Sequence, residues 1–261
     1  MVSALARAVD ADASGATAQT HVGNPPYPSW NTEFRQLAPN VYAYIQAGGP
    51  GVPSSAISNG ACILGPDHWM AIDAFAAPPH TNAFLAAAKN LAGSRTCDHL
   101  INTHNNADHT TGNSFFLPAE IVGHEYCREA VIKGGISNLA GQPESWKVGM
   151  EELKLAPPTT TFDDRSRITY RYCNTELHVM YNGSPAHTWG DALIHLPQYK
   201  ILWAGDIAFS TSLLPLRAVI SASGSNRSIA STGWTWMSSS RGMGRSAARR
   251  NSPKRVNTSQ S

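Results

Sequence analysis

The stretch His104-Asn-Asn-Ala-Asp108-His109 constrains this chain more than any other. It sets three potential metal ligands within six residues. An apolar run from His99 to Thr103 reads as a buried strand that ends at His104, and Thr110-Thr111-Gly112-Asn113 opens a short helix. The ligands therefore sit on a loop where a strand delivers them to the surface. A neutral imidazole needs a second imidazole or a carboxylate nearby to hold a divalent metal, and zinc sites are built from such short clusters. The competing reading of this segment alone is a polar strand-to-helix loop with a helix-capping Asp.

The rest of the chain supplies an ordinary core. Its 261 residues, 42% of them hydrophobic, bury one sizeable core in one or two domains. No run of about 18 apolar residues exists, so no membrane span is expected. Cys62, Cys97, Cys127 and Cys173 are scattered without a C-x-x-C spacing, each in mostly apolar surroundings. They read as buried thiols of a reducing compartment, hence a cytoplasmic protein, and not as disulfides or zinc ligands. The first 33 residues are polar and Pro-containing. They lack the continuous apolar centre of a secretion signal and read as an irregular leader.

The net charge of +2 hides an asymmetry. No acidic residue follows Asp206, while eight of the twenty Lys and Arg lie at or beyond Arg217. Residues 1–209 therefore hold 12 basic and 18 acidic side chains, a balance of −6. Such a body is not a nucleic-acid binder by charge, and a small-molecule substrate is the expected partner.

Strands are expected at Val41 to Gln46, Ile57 to Leu64, Trp69 to Asp73, and Ala119 to His124. Further pairs are expected at Arg167 to Cys173 with Glu176 to Tyr181, and Ala192 to Leu196 with Lys200 to Ala204. Helical spacing covers residues 81–93, the stretch from His124 to about Lys133, and residues 143–155. The Gly- and Pro-rich GGPGVPSS reads as a hairpin loop. Paired strands with interspersed helices predict an α/β sandwich.

The order of these features resembles the metallo-β-lactamase superfamily over roughly Phe34 to Phe209. That family's first loop reads His-x-His-x-Asp-His, against His104-x-Asn106-x-Asp108-His109 here. Ser184-Pro-Ala-His187-Thr-Trp-Gly-Asp191 is similar to its third motif, and Trp203-Ala-Gly-Asp206 to its fourth. The resemblance implies an αββα sandwich with His104, Asp108, His109, His187 and Asp206 holding metal. Asp73, at the end of a strand, would orient the metal loop. Asn106, Trp189 and His124 would edge the site or line its pocket, and His80 stands near it. The remaining histidines read as structural or solvent-exposed.

The implied activity is that of a zinc-dependent hydrolase carrying one or two Zn²⁺. Bound zinc lowers the pKa of its water to about 7 and so supplies hydroxide at neutral pH. Asp108 would bind one metal or orient that hydroxide for attack on an ester, lactone, amide or activated halide. Two other outcomes are open: an impaired metal-binding remnant of the fold, and an iron-dependent oxidoreductase on the same ligands.

Two departures from the family pattern matter. The Asn106 amide oxygen is neutral and weakly basic, so one metal position should bind weakly. The family's final histidine, in Pro-Gly-His-Gly, has no counterpart, because no histidine follows His195. Residues 210–261 hold 14 serines and no acids, a composition of disorder or of a basic interaction tail. Trp and Met each have one codon, which permits another test. Read one base earlier, with TCN serines and CGN arginines, Gly233 to Gly244 gives x-Asp-x-Asp-Val. Two aliphatic or Phe positions follow, then codons that permit Pro, Gly and His and force Gly. The tail thus reads as a frameshifted C-terminus, shifted between Asp206 and Gly233.

Overall fold

A computed structural model describes residues 32–46, 58–172, 175–207 and the backbone of 235–237. The chain opens with an antiparallel meander of β1 (Glu33–Ala38), β2 (Val41–Ile45), β3 (Gly60–Leu64) and β4 (His68–Ile72). Helix α1 (Pro78–Ala92) then crosses to β5 (Thr96–Ile101), which lies parallel to β4. The metal loop, the short helix α2 (Ala107–Thr110) and a 3₁₀ turn lead to β6 (Glu120–His124). Helix α3 (Glu125–Gly134) and two isolated 3₁₀ turns lead to β7 (Thr160–Phe162). These seven strands form one sheet in sequence order, parallel from β4 to β7.

The second sheet is an antiparallel run of β8 (Arg167–Tyr172), β9 (Thr175–Tyr181), β10 (Ala192–Leu196) and β11 (Ile201–Trp203). A three-residue strand, β12 (Thr235–Met237), pairs in parallel with β11. The two inner faces meet in a core of Ile63, Met70, Ile72, Ile101 and Val122 against Leu177, Val179, Ile194, Leu196 and Trp203. Side chains alternate across a strand. Leu100 and Ile121, one residue from Ile101 and Val122, therefore face the other way and pack with Phe84, Phe75 and Trp69 under α1. All three described α-helices follow strands of the first sheet. Among the described residues no α-helix follows a strand of the second sheet, so the second helical layer of the expected αββα order is not tested by them.

Most sequence-based elements are present, with shifted ends. Helix α1 starts three residues before the predicted 81, because Pro78 and Pro79 occupy its first turn, where a missing N–H costs nothing. Residues 143–155 do not form the expected helix. Gly149, in a left-handed conformation (φ 81°), separates the 3₁₀ turns Glu144–Trp146 and Met150–Glu152. Strands β1 and β7 were not expected, and β12 places a strand in a tail whose sequence shows no strand periodicity. The irregular leader, the GGPGVPSS loop and the frameshifted reading of the tail lie outside the described residues, apart from β12. No helix among the described residues is long and apolar enough to cross a membrane.

Candidate metal centre

The candidate ligands meet at the carboxyl ends of the strands, where parallel α/β sheets open their crevices. β4 delivers Asp73, β5 delivers His104, β11 delivers Asp206, and the loop between β9 and β10 carries His187. Two groups of potential ligand atoms result, each within 4.8 Å. One is His104, His187 and Asp206; the other is Asp108, His109 and Asp206. Asp206 is common to both. Its Oδ2 lies 3.9 Å from His104 Nε2 and 3.6 Å from His187 Nε2, and its Oδ1 lies 3.4 Å from His109 Nε2. Asp108 Oδ2 approaches the same His109 nitrogen at 3.3 Å.

The support beneath this cluster is buried and specific. Asp73, fully buried, accepts bonds from Thr103 N at 2.8 Å and from Thr103 Oγ1. Its Oδ2 also lies 2.9 Å from His109 Nδ1. Thr103 Oγ1 in turn sits 3.1 Å from His104 Nδ1. Both imidazoles are thus held through Nδ1, which turns Nε2 toward Asp206. The loop is clamped from below by Ala74 N donating to His109 O at 2.9 Å. Gly112 lets the backbones approach: a Cβ there would lie 2.1 Å from Ala74 O and from Thr81 Oγ1. Ser58 Oγ adds a 2.5 Å bond to the Asp108 carbonyl.

Electrostatics divide the two buried histidines. Burial, reinforced by His109 and His187 nearby, holds the His104 pKa well below its ordinary value. A neutral His104 keeps its lone pair. Burial would lower His109 as well, but Asp73 and Asp108 outweigh it and raise His109 well above the ordinary value. Burial pushes the Asp108 carboxyl up, and His109 reverses this to a net lowering.

A metal fits this arrangement. His104 Nε2 and His109 Nε2 are buried and neither has a hydrogen-bond partner of acceptable geometry. Burying such atoms unsatisfied costs on the order of 1–3 kcal/mol each, which coordination would remove. The donors are imidazole and carboxylate, the set that accepts zinc or iron. Cys62, Cys97 and Cys127 are free and outside both groups.

The other expected site residues fall as follows. Asn106 Nδ2 lies 2.8 Å from His187 Nε2, so its amide engages the nitrogen that a metal would need. Trp189 is 67% exposed on the His187 loop and leans on Tyr126, with ring centroids 6.4 Å apart. His124 is buried and belongs to neither ligand group. Its Nδ1 accepts from Tyr126 N and caps α3, while its Nε2 lies 3.0 Å from Asp164 Oδ1. His80 packs edge-on to Trp146, with centroids 4.4 Å apart.

Sequence reasoning passed over Asp191 as a site residue. It is buried and accepts from the backbone N–H groups of His187 at 2.9 Å and Thr188 at 2.9 Å. Thr188 Oγ1 adds a bond of 2.7 Å. This carboxylate fixes the loop that presents His187; its signal was its place four residues after the histidine.

No known family's sequence profile matches the chain, and no curated protein matches it. Among solved structures, a metallo-β-lactamase from Pontibacter korlensis is 19% identical, with a TM-score of 0.50. That match covers 67% of this chain and 71% of the other. A metallo-β-lactamase from Hirschia baltica is 20% identical over 67% of this chain and 70% of its own, at a TM-score of 0.48. With its two facing sheets and the ligand atoms gathered at their carboxyl edge, this chain has the metallo-β-lactamase fold.

Proposed function

We propose that the protein is a metal-dependent hydrolase that uses zinc to cleave a small-molecule ester, lactone, amide or activated halide. The observation that carries this reading is Asp206, shared by two ligand groups whose buried His104 and His109 Nε2 atoms face carboxylates without a hydrogen bond of acceptable geometry. When bound, the metal supplies Lewis acidity and water activated at neutral pH. Asp73 and Thr103 orient the two buried imidazoles, and Asp191 fixes His187. Asp108, 13% exposed, is the more accessible of the two carboxylates in its group and lines a depression of about 200 Å³ with Ala76, Leu139, Gln142 and Trp146. In this reading Asp108 takes the proton of an attacking water. For an ester, water adds to the acyl carbon, the C–O bond breaks, and the alcohol leaves with the proton. The free thiols suit a reducing compartment such as the cytoplasm.

Elemental analysis of the purified protein tests the reading, paired with Asp108→Ala. One or two zinc ions per chain are expected, with the equivalent held by Asp108, His109 and Asp206 lost in the variant. Chelation should abolish hydrolysis of p-nitrophenyl acetate and zinc should restore it. Iron in place of zinc would move the assignment to redox chemistry, which the same donors support. Absence of any metal uptake would overturn it.

Asn106 makes the two positions unequal, because its amide contact with His187 must open before that imidazole can coordinate. Asn106→His should tighten the second binding step by on the order of tenfold or more, since even outer-sphere partners of a metal are worth 10–100-fold. Calorimetric titration of the metal-free protein with zinc checks this. Identical second-step affinities in the two proteins would refute it.

A further inference from the structure

Two buried asparagines outside both ligand groups face each other beside the metal loop. Asn102 follows the last residue of β5, and Asn113 lies in the 3₁₀ turn Thr111–Phe116. Asn102 Nδ2 donates to Asn113 Oδ1 at 3.0 Å, and Asn113 Nδ2 donates to Asn102 Oδ1 at 2.9 Å. The second hydrogen of each amide reaches outward. Asn102 Nδ2 donates to His109 O at 3.2 Å, and Asn113 Nδ2 donates to Ala156 O at 2.9 Å. Every polar atom of both side chains is therefore engaged, and the two backbone carbonyls fix which way each amide turns. A carboxylate could not donate these bonds, and an aliphatic side chain could neither donate nor accept.

The two outward bonds lead to different parts of the molecule. His109 is a candidate ligand, and its carbonyl is held by Asn102 and by Ala74 N. Ala156 belongs to the segment between α3 and β7. That segment is anchored to the same 3₁₀ turn a second time, by Lys154 N donating to Ser114 Oγ at 3.2 Å. Lys154, Leu155 and Ala156 line a depression of about 250 Å³ together with Asn105 and Ala107 of the metal loop. We propose that the Asn102–Asn113 pair is a positioning clamp. It sets the backbone of His109 and ties it to the wall at residues 154–156, so that metal binding and order in that wall rise together. The inference rests on the metal-dependent reading above and adds two residues that belong to neither ligand group. A buried amide pair with every bond made transmits displacement, because neither member can shift without leaving a polar group unpaired.

Asn113→Ala cuts the pair without removing any contact to His109. It should weaken zinc binding by about tenfold, the lower end of what partners outside the coordination shell contribute. Competition with a chromophoric chelator measures this on the full chain. In the wild-type protein zinc should slow hydrogen exchange at the amides of residues 153–156, and in Asn113→Ala it should not. Asn102→Leu/Asn113→Leu separates positioning from stability. It replaces both partners by apolar groups of similar shape, which leaves no side-chain amide unpaired and is nearly neutral for folding. Its metal-free thermal midpoint should lie above that of Asn113→Ala, while its zinc affinity and its exchange stay as poor. If the leucine pair recovers wild-type zinc affinity, the asparagines only fill space and the clamp is overturned. It is overturned as well if Asn113→Ala binds zinc as tightly as the wild type. Neither readout needs turnover. A wild-type protein that binds zinc with this Asn113 dependence yet cleaves no ester keeps the clamp and loses the hydrolase reading; one that takes up no metal loses both.

Discussion

Asp73→Ala should lower the thermal midpoint of the metal-free protein by roughly 6–20 °C, the largest effect of any single change at the centre. The carboxylate is fully buried, and it joins Thr103 on β5 to His109 in the metal loop. Removing one partner of a buried ion pair costs about 3–5 kcal/mol, because the other is left without compensation. In a chain of this size each kcal/mol moves the midpoint by about 2–4 °C. Asp73 also adopts a left-handed conformation (φ 61°), which disfavours alanine by a further 1–2 kcal/mol or so. Asn tolerates that conformation, so Asp73→Asn isolates the charge from the backbone. The Asn variant should melt between wild type and Ala. It should also lose about 10–100-fold in zinc affinity, measured by competition with a chromophoric chelator, because His109 no longer has its carboxylate. An Ala variant that melts within 2 °C or so of wild type would contradict the account.

This arrangement also shows where sequence reading succeeds and stops. The spacing of His104, Asp108 and His109 is local, and so is the strand before it; the helix expected to open at Thr110 instead spans Ala107–Thr110, with Thr111–Phe116 in a 3₁₀ turn. The Asp73 link is not local. It needs β4 beside β5 in parallel register, with Ile72 opposite Ile101, before Thr103 can reach its carboxylate. That register comes from tertiary packing. Asp191 escaped for a different reason: most of its partners are backbone N–H groups, which carry no sequence identity. In residues 143–155, Trp146, Met150 and Leu153 have helical spacing, yet Gly149 adopts the left-handed geometry and splits the segment. Trp146 is still buried, against Ala77 and Leu139, so the spacing recorded burial and not a helix. The tail was read from composition, which has no access to pairing. Its strand β12 lies beside β11, the strand that leads to Asp206.

Asp206→Ala should remove metal from both positions at once, and this is the variant that separates a shared carboxylate from two independent sites. Asp108→Ala leaves His104, His187 and Asp206 together, so some metal should remain bound. Asp206→Ala leaves only pairs: His104 with His187, and Asp108 with His109. A pair of protein ligands falls short of the three that open zinc sites use. Metal retained after gel filtration should fall to background, and hydrolysis should fall with it by roughly 10²–10³-fold, the scale of losing one preorganised electrostatic contact. Stability should suffer less than in Asp73→Ala, because His109 keeps both Asp73 and Asp108 as partners. The two aspartates therefore predict opposite signatures. Asp73 acts mainly on the melting temperature and only secondarily on metal; Asp206 acts mainly on metal. If Asp206→Ala retained one full equivalent of zinc, the two positions would not depend on a common carboxylate. The placement of Asp206 Oδ1 toward His109 and Oδ2 toward His104 and His187 would then reflect packing alone.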